Sequence, residues 1–567
     1  MNFLKKTLAL SLILFFALQL VAQQVPTNRN EHYFDINKNM DIFNSVMREL
    51  DLFYVDSIKV NSMMQNTIVN MLTRLDPYTE YYSEENMNEL RFLTTGEYAG
   101  IGAIISYNNG KVIINQPYRG LPADKAGLKA GDIFIEIDGE DVSKANVKEV
   151  SDKLKGTPGT TLQLTIERPG EKKHRKLSIV REKIEIPPIA YSTVMDKDIG
   201  YLHFGGFTEK SADQMKETLN ELKNSGAKSF IIDLRGNGGG ILEEAVKIVN
   251  FFVPKGKEIV STKGKVKKWD RVYRTQNQPL DELSPIVVLV DTGSASASEI
   301  VAGALQDMDR AVIVGNRSFG KGLVQMTRQL PYGGSIKLTT AKYYIPSGRC
   351  IQALDYSHRN PDGSVARVPD SLTQVFYTHN GREVRDGGGI TPDITIEHQR
   401  PANIVFYLAA ENIIFDFVTE WVQKHPKIAP PETFSLSDVD YNEFKAFVKA
   451  KNFTYDRMSA RTLQTLQNIM EFEGYKKAAE EEFKALEEKL RPNPERDLEL
   501  FREDIKSFIE SEIIQRYYYK EGVLIYELRN DKALQKAKEL IKNPALYQQT
   551  LQPSEKKAPK TVVDNKT

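Results

Sequence analysis

The sequence predicts a multidomain chain of mixed α/β and α+β class. An α/β core carries an inserted β-rich module, with a helical segment before them and a helical region after. Three observations predict this. Short β-like runs punctuated by turn dipeptides occupy residues 96–185. From Ile199, apolar runs of strand length alternate with helical stretches. After about residue 400 the chain turns helical and charge-rich. Its 567 residues exceed one ordinary core, and at roughly 100–200 residues per domain they imply about three to five units.

The elements follow in order. Lys5 and Lys6 precede an apolar run from Leu8 to Ala22, after which the chain turns polar at Gln23. This pattern reads as a signal peptide over 1–23 and predicts an exported protein, periplasmic in a Gram-negative source. The other reading, a retained anchor, needs a longer run, since a spanning helix takes ~20 apolar residues. No other stretch is long and apolar enough to span a bilayer, so no stable membrane span is expected once the leader is removed. Residues 24–95 form a helical region, with Met40, Ile42, Phe43, Val46, Met47, Leu50 and Phe53 spaced for one helix face. Within 96–185, strands are expected at Ile101–Ile105, Lys111–Asn115, Ile133–Ile137 and Thr161–Glu167, with a helix at Val147–Leu154. Asp138-Gly139 and Pro158-Gly159 supply turns.

In the core, 186–400, strands are expected at Tyr201–Phe204, Phe230–Leu234, Ile286–Val290 and Ala311–Val314. Ser211-Ala212-Asp213-Gln214 reads as a capping box opening a helix that Gly226 closes. A second helix is expected over Ile241–Phe252. Residues 401–552 are helical, for example Ile413–Val422 and Lys476–Arg491, and 553–567 is a polar, Lys-rich, disordered tail.

Composition excludes several classes. Lys+Arg and Asp+Glu number 76 each, so no net field points to nucleic acid or anionic lipid. Cys350 is the only cysteine, which rules out an intrachain disulfide and, with none near the leader's end, argues against a lipoprotein. The histidines are scattered and none falls in H-E-x-x-H spacing, so a zinc peptidase is unsupported. There is no G-x-S-x-G elbow.

Three stretches carry candidate chemistry. Asp291–Glu299 (DTGSASASE) follows a strand and precedes a helical run. A serine there presents its hydroxyl at a sheet edge with helix amides behind it, or simply caps the helix. Gly315–Gly322 (GNRSFGKG) nearly fits a phosphate loop, but Gly322 stands where a Mg²⁺-binding hydroxyl is required. The alternative use of Lys321 is as a general base, because burial disfavours its charged form. Gln325 lies four residues on, placed to orient it. Asp233–Gly240 (DLRGNGGG) lets backbone N–H groups converge on an oxyanion, or is only a tight turn. It does not fit G-x-G-x-x-G, so no nicotinamide or flavin is indicated.

Together these stretches resemble the C-terminal processing peptidases, or tail-specific proteases, of the S41 serine peptidase family. The resemblance runs from about Leu75 to Glu397. It includes Asp76-Pro77-Tyr78-Thr79, the PDZ-like Gly100-Ile101-Gly102-Ala103 and Ala126–Asp132, and Tyr344–Arg349 and Gly389–Asp393 in family order. It implies Ser296 as nucleophile, Lys321 as base and Gln325 as the third member. It also implies an oxyanion hole from the backbone amides of Ala297 and the Gly238–Gly239 turn, with no metal or cofactor. The expected partners are protein and peptide substrates with free C-termini. The PDZ-like module would bind these by strand addition, with the amides of Gly100, Ile101 and Gly102 on the terminal carboxylate. Gly238 stands where the family has proline, Tyr78 where it has histidine, and Cys350 where it has Ser or Thr. The helical region after residue 400 is a candidate homo-oligomer arm or adaptor surface. The rival reading is a catalytically inactive PDZ scaffold on a peptidase-like fold; a dead relative would be expected to lose Ser296 or Lys321, and both are present.

Overall fold

The computed structural model describes residues 28–553 except 88–89, 91–94, 361, 398–400, 456–457 and 492. The stretch read as a signal peptide (1–23) and most of the polar tail therefore lie outside the described residues. The chain divides into two compact units, Met1–Tyr81 and Tyr82–Thr567.

The first unit contains the helices Asn28–Phe53 and Val60–Thr73. Met40, Ile42, Val46 and Phe53 stay exposed on the first helix. After it, the carboxylate of Asp76 accepts the amides of Tyr78 and Thr79, both at 2.8 Å, and closes the turn at Asp76-Pro77.

In the second unit, Ala103–Asn108, Lys111–Pro117, Ile133–Ile137, Thr161–Glu167 and Arg175–Val180 form one antiparallel sheet in that spatial order. Its alternating inner positions, Val112, Ile114, Phe134, Leu162, Leu164 and Ile166, close on Val150 and Leu154 of the helix Val147–Leu154. Asn146 and Glu149 form a capping box at the start of that helix. The expected strand Ile101–Ile105 is divided. Glu97–Gly100 pairs with Glu182–Glu185, Gly102 turns at φ +72°, and the main sheet begins only at Ala103. The break arises because the carbonyls of Ile101 and Gly102 bond outside the ladder, to the amides of Ala123 (2.7 Å) and Tyr118 (3.0 Å).

The core is a six-stranded sheet in the order Ile189–Met195, Ile199–Phe204, Ser229–Asp233, Ile286–Val290, Val312–Gly315, Ile394–Thr395. Only the first pair is antiparallel. Continuous apolar runs such as IVVLV suit a parallel sheet covered on both faces. Helices Ser211–Asn224, Leu242–Asn250 and Ala297–Asp307 cover one face, packing with Leu202, Phe204, Phe230, Ile232 and Val288. Helices Lys532–Lys542 and Pro544–Thr550, from the far end of the chain, cover the other through Ala533, Leu534, Ala537, Leu540 and Tyr547. The Tyr547 hydroxyl both donates to Ile286 O and accepts from Ile286 N, each at 3.0 Å.

The helix opened by Ser211 does not use the expected capping box. Ser211 is inside the helix and its hydroxyl donates to Thr208 O. The cap is supplied instead by buried Glu244 of the neighbouring helix, whose carboxylate accepts the Ala212 amide at 2.8 Å. A tertiary contact replaces the local one.

Between residues 403 and 528, helices pack around Phe417, Val418, Trp421, Phe444, Ile505, Ile509 and Ile513. The longest, Arg502–Leu528, is broken at Tyr519 (φ 56°, ψ −162°) and lies against the β-rich module: Arg516 donates to Asn115 O, and the Tyr519 hydroxyl to Asp124. No described helix is long and apolar enough to cross a membrane.

Candidate active site

Ser296 sits between the strand Ile286–Val290 and the helix Ala297–Asp307, at φ 56° and ψ −113°. A non-glycine residue rarely adopts such a conformation, and its cost is met by surrounding contacts. Those contacts also separate the three serines. Ser294 is fully buried; its hydroxyl donates to Leu234 O (2.8 Å) and accepts from Asp291 N (2.9 Å). Ser298 is fully buried and donates to Asn237 O at 2.9 Å. Of the three, only Ser296 is partly exposed.

The glycine loop lies directly against this elbow. Asn237, fully buried, donates to Phe204 O and accepts the Ala295 amide on its carbonyl. A methyl group on Gly239 (φ +98°) would stand 2.8 Å from Ser296 Cβ and 2.9 Å from Ala297 N, so only glycine fits. The amide of Gly239, expected as an oxyanion donor, donates instead to Asn237 Oδ1 at 2.9 Å. The amides of Gly238 and Ala297 have no partner among the described residues, and the space beside Gly238 is open. These two remain able to receive an oxyanion.

Glu299 joins the elbow to the lysine loop. It is completely buried in the first turn of the Ala297–Asp307 helix. Its Oε2 accepts both the Ser296 amide (2.9 Å) and the Lys321 amide (2.8 Å). Its Oε1 accepts the Gly320 amide (2.7 Å) and the Ser318 hydroxyl (2.5 Å). Burial pushes this carboxyl above its ordinary range, opposed by the four donors. The backbones of Ser296 and Lys321, twenty-five positions apart in sequence, are thus held on a single oxygen atom. Phe319 N adds a bond to Ser294 O at 3.0 Å.

Gln325 lies on the strand Leu323–Gln329, its amide nitrogen donating to Thr339 Oγ1 at 3.2 Å. Tyr343, on the adjoining strand Ser335–Tyr344, is buried and donates its hydroxyl to Ser296 O at 3.2 Å. Burial drives this phenol's pKa well up, so it remains a donor. Glu299, Asn237 and Tyr343 were not singled out by sequence reasoning. Glu299 had a signal, since it stands three residues after Ser296 in the S-x-x-E capping spacing. Tyr343 had none, because its role depends on strand pairing.

In the β-rich module, a groove of about 900 Å³ is lined by Tyr98, Gly100, Ile101, Ile105, Tyr118 and Leu154 among others. It runs between the Ala103–Asn108 strand edge and the Val147–Leu154 helix. Tyr98 lies across the expected carboxylate loop: a methyl on Gly100 would stand 3.1 Å from its ring. Burial pushes the Tyr98 hydroxyl up to about 12, opposed by the amides of Ala103 and Gly102, which face it.

Peptidase family S41 matches residues 198–358, a PDZ domain 113–168, and the C-terminal helical domain described for a probable PDZ-protease 404–541. The chain is 36% identical over 342 residues to a carboxy-terminal-processing protease of Bartonella bacilliformis, covering 60% of this chain and 77% of that one. It is 32% identical over 316 residues to the carboxy-terminal processing protease CtpA of Bacillus subtilis, covering 56% and 67%. Among solved structures it is 29% identical to the PDZ domain of a carboxy-terminal protease from Vibrio cholerae in complex with peptide. That match covers 16% of this chain and 99% of the other, with a TM-score of 0.15. With PDZ, S41 and helical C-terminal domains along one chain, and a named protease matched over three quarters of its length, this protein belongs to the S41 family of carboxy-terminal processing proteases.

Proposed function

We propose that the protein is an exported serine endopeptidase that cuts protein substrates at or near their free C-terminal tails, with Ser296 as nucleophile and Lys321 as general base. The observation that carries this reading is the setting of Ser296. It has the strained elbow conformation, it is the one partly exposed serine of three, and its amide shares Glu299 Oε2 with the amide of Lys321.

The chemistry follows from those positions. Ser296 Oγ attacks the scissile carbonyl carbon while Lys321 Nζ takes the hydroxyl proton. Charge developing on the carbonyl oxygen meets the amides of Ala297 and Gly238, with the amino end of the Ala297–Asp307 helix behind them. The proton passes to the leaving amine as the C–N bond breaks, giving an ester on Ser296. Water then attacks this ester, with Lys321 taking and returning the proton. Gln325, four residues on in the strand that follows the lysine loop, is the candidate to orient the lysine. The chain's own groups complete the cycle.

Substrate tails are read by the PDZ module. A peptide added beside the Ala103–Asn108 edge places its last side chain among Ile101, Ile105 and Leu154 and its carboxylate at the Gly100–Gly102 loop. Export rests on the positive, then apolar, residues 1–23.

The test is to purify the chain from Gln24 onward and incubate it with an unstructured peptide and a fluorophosphonate. Ser296→Ala should lose cleavage and labelling, and the label should map to Ser296 alone. Amidating a good substrate's C-terminus should slow cleavage at least tenfold. Equal rates for acid and amide would remove tail reading, and an active Ser296→Ala would remove the nucleophile.

A further inference from the structure

The turn that carries Gly238 is anchored from outside the peptidase domain. Arg235, three residues before Gly238, folds back on Asp233 at the end of its own strand, with Nε on Oδ1 at 2.9 Å and Nη2 on Oδ2 at 2.6 Å. Tyr201 donates to the same Asp233 oxygen at 2.8 Å. The same nitrogen, Nη2, is also held by Asp531, whose Oδ2 lies 2.6 Å from it. Asp531 belongs to the C-terminal helical region, where it caps the helix Lys532–Lys542 through the amides of Ala533 (2.8 Å) and Leu534 (3.0 Å). Both carboxylates are largely buried.

We propose that Asp531 is a positioning residue for the peptidase reaction: through Arg235 it fixes the Leu234–Gly240 turn, and with it the Gly238 amide, in register with Ser296. The inference rests on the Ser296 reading given above. Its physical basis is that this turn packs tightly against the Ser296 elbow at Gly239. At Gly239 a single added methyl would collide with Ser296 Cβ, so sub-ångström displacement of the turn misaligns the oxyanion donor. Within the Asp233–Arg235 network, Asp531 is the contact that comes from the helices on the sheet's far face. A residue nearly three hundred positions later in the chain completes the active site, and the helical domain is part of the catalytic unit.

Asp531→Asn separates positioning from capping. Asparagine caps a helix as well as aspartate but has no charge for Arg235. Using the full mature chain and a short peptide, kcat should fall about tenfold with KM within twofold. The inhibition constant of a peptide aldehyde, whose hemiacetal oxygen occupies the oxyanion position, should rise by a similar factor. The melting temperature should move little. The control is Leu540→Ala, in the same helix and buried against the sheet, which should lower the melting temperature but leave kcat unchanged below unfolding. Unchanged kcat and aldehyde affinity in Asp531→Asn would overturn the proposal. So would parallel losses of kcat and melting temperature in both variants, since that pattern marks a purely structural role. Failure of the underlying reading looks different: the wild-type protein itself would take no label at Ser296.

Discussion

Glu299→Gln is the most informative single substitution, because it keeps size and burial while changing what the buried group can accept. The carboxylate accepts two amides on Oε2 and one amide plus a hydroxyl on Oε1. A glutamine has one acceptor oxygen, so one side must present an NH₂ to backbone donors. If the oxygen faces Ser296 and Lys321, the Gly320 amide is orphaned; in the flipped orientation both Ser296 and Lys321 are. The less costly orientation loses one charge-assisted bond and leaves one buried donor unpaired. At about 1.5–3 kcal/mol for the bond and about 1–3 kcal/mol for the orphan, overlapping in part, the loss comes to roughly 3 kcal/mol of stability. The catalytic effect is larger, since a displacement of about 1 Å between nucleophile and base costs on the order of 100-fold in kcat. Urea unfolding measures the first quantity and turnover of a short peptide the second, at a temperature where the variant is folded. A Glu299→Gln enzyme within threefold of wild-type kcat, or within about 0.5 kcal/mol in stability, would refute the view that this carboxylate joins the two loops.

Ser294→Ala and Ser298→Ala should each lose about 1 kcal/mol of stability with cleavage retained, as a melting curve and a peptide assay will show; loss of activity without loss of stability would refute their structural assignment. Lys321→Arg should be inactive despite its charge, because arginine does not release its proton; measurable turnover by this variant would show that the residue supplies charge alone. His203 provides a pH test. Burial, assisted by Lys520 and Arg235 and opposed by Asp233, holds its imidazole below the ordinary value, so the native state binds this proton less readily than the unfolded chain. Its contribution is therefore present above about pH 6.5 and is lost as pH falls below that. The melting temperature of wild type should drop more between pH 7.5 and 5 than that of His203→Gln; equal slopes would refute the assignment.

The sequence by itself determined what depends on short-range pattern. The apolar run IVVLV at Ile286–Val290 reads as a buried strand and the alternating IFIEI at Ile133–Ile137 as a half-buried one, and both are strands. The helix Val147–Leu154 carries its own capping box, and the order of loops placed Ser296 and Lys321 at turns. Local chemistry sufficed there because each signal lies within a few residues of what it specifies. Tertiary structure decided the rest. It chose Glu244 over a local box to cap the Ser211–Asn224 helix, and it used up the Gly239 amide on Asn237 while leaving those of Gly238 and Ala297 open. It also divided the Ile101–Ile105 run at Gly102 by drawing two carbonyls out of the ladder. It brought Tyr343 under Ser296, and Asp531 to Arg235, across separations with no local pattern. The physical reason is the same in each case. A buried backbone group must find a partner, and which partner is nearest depends on how the elements pack, not on their spacing in the chain.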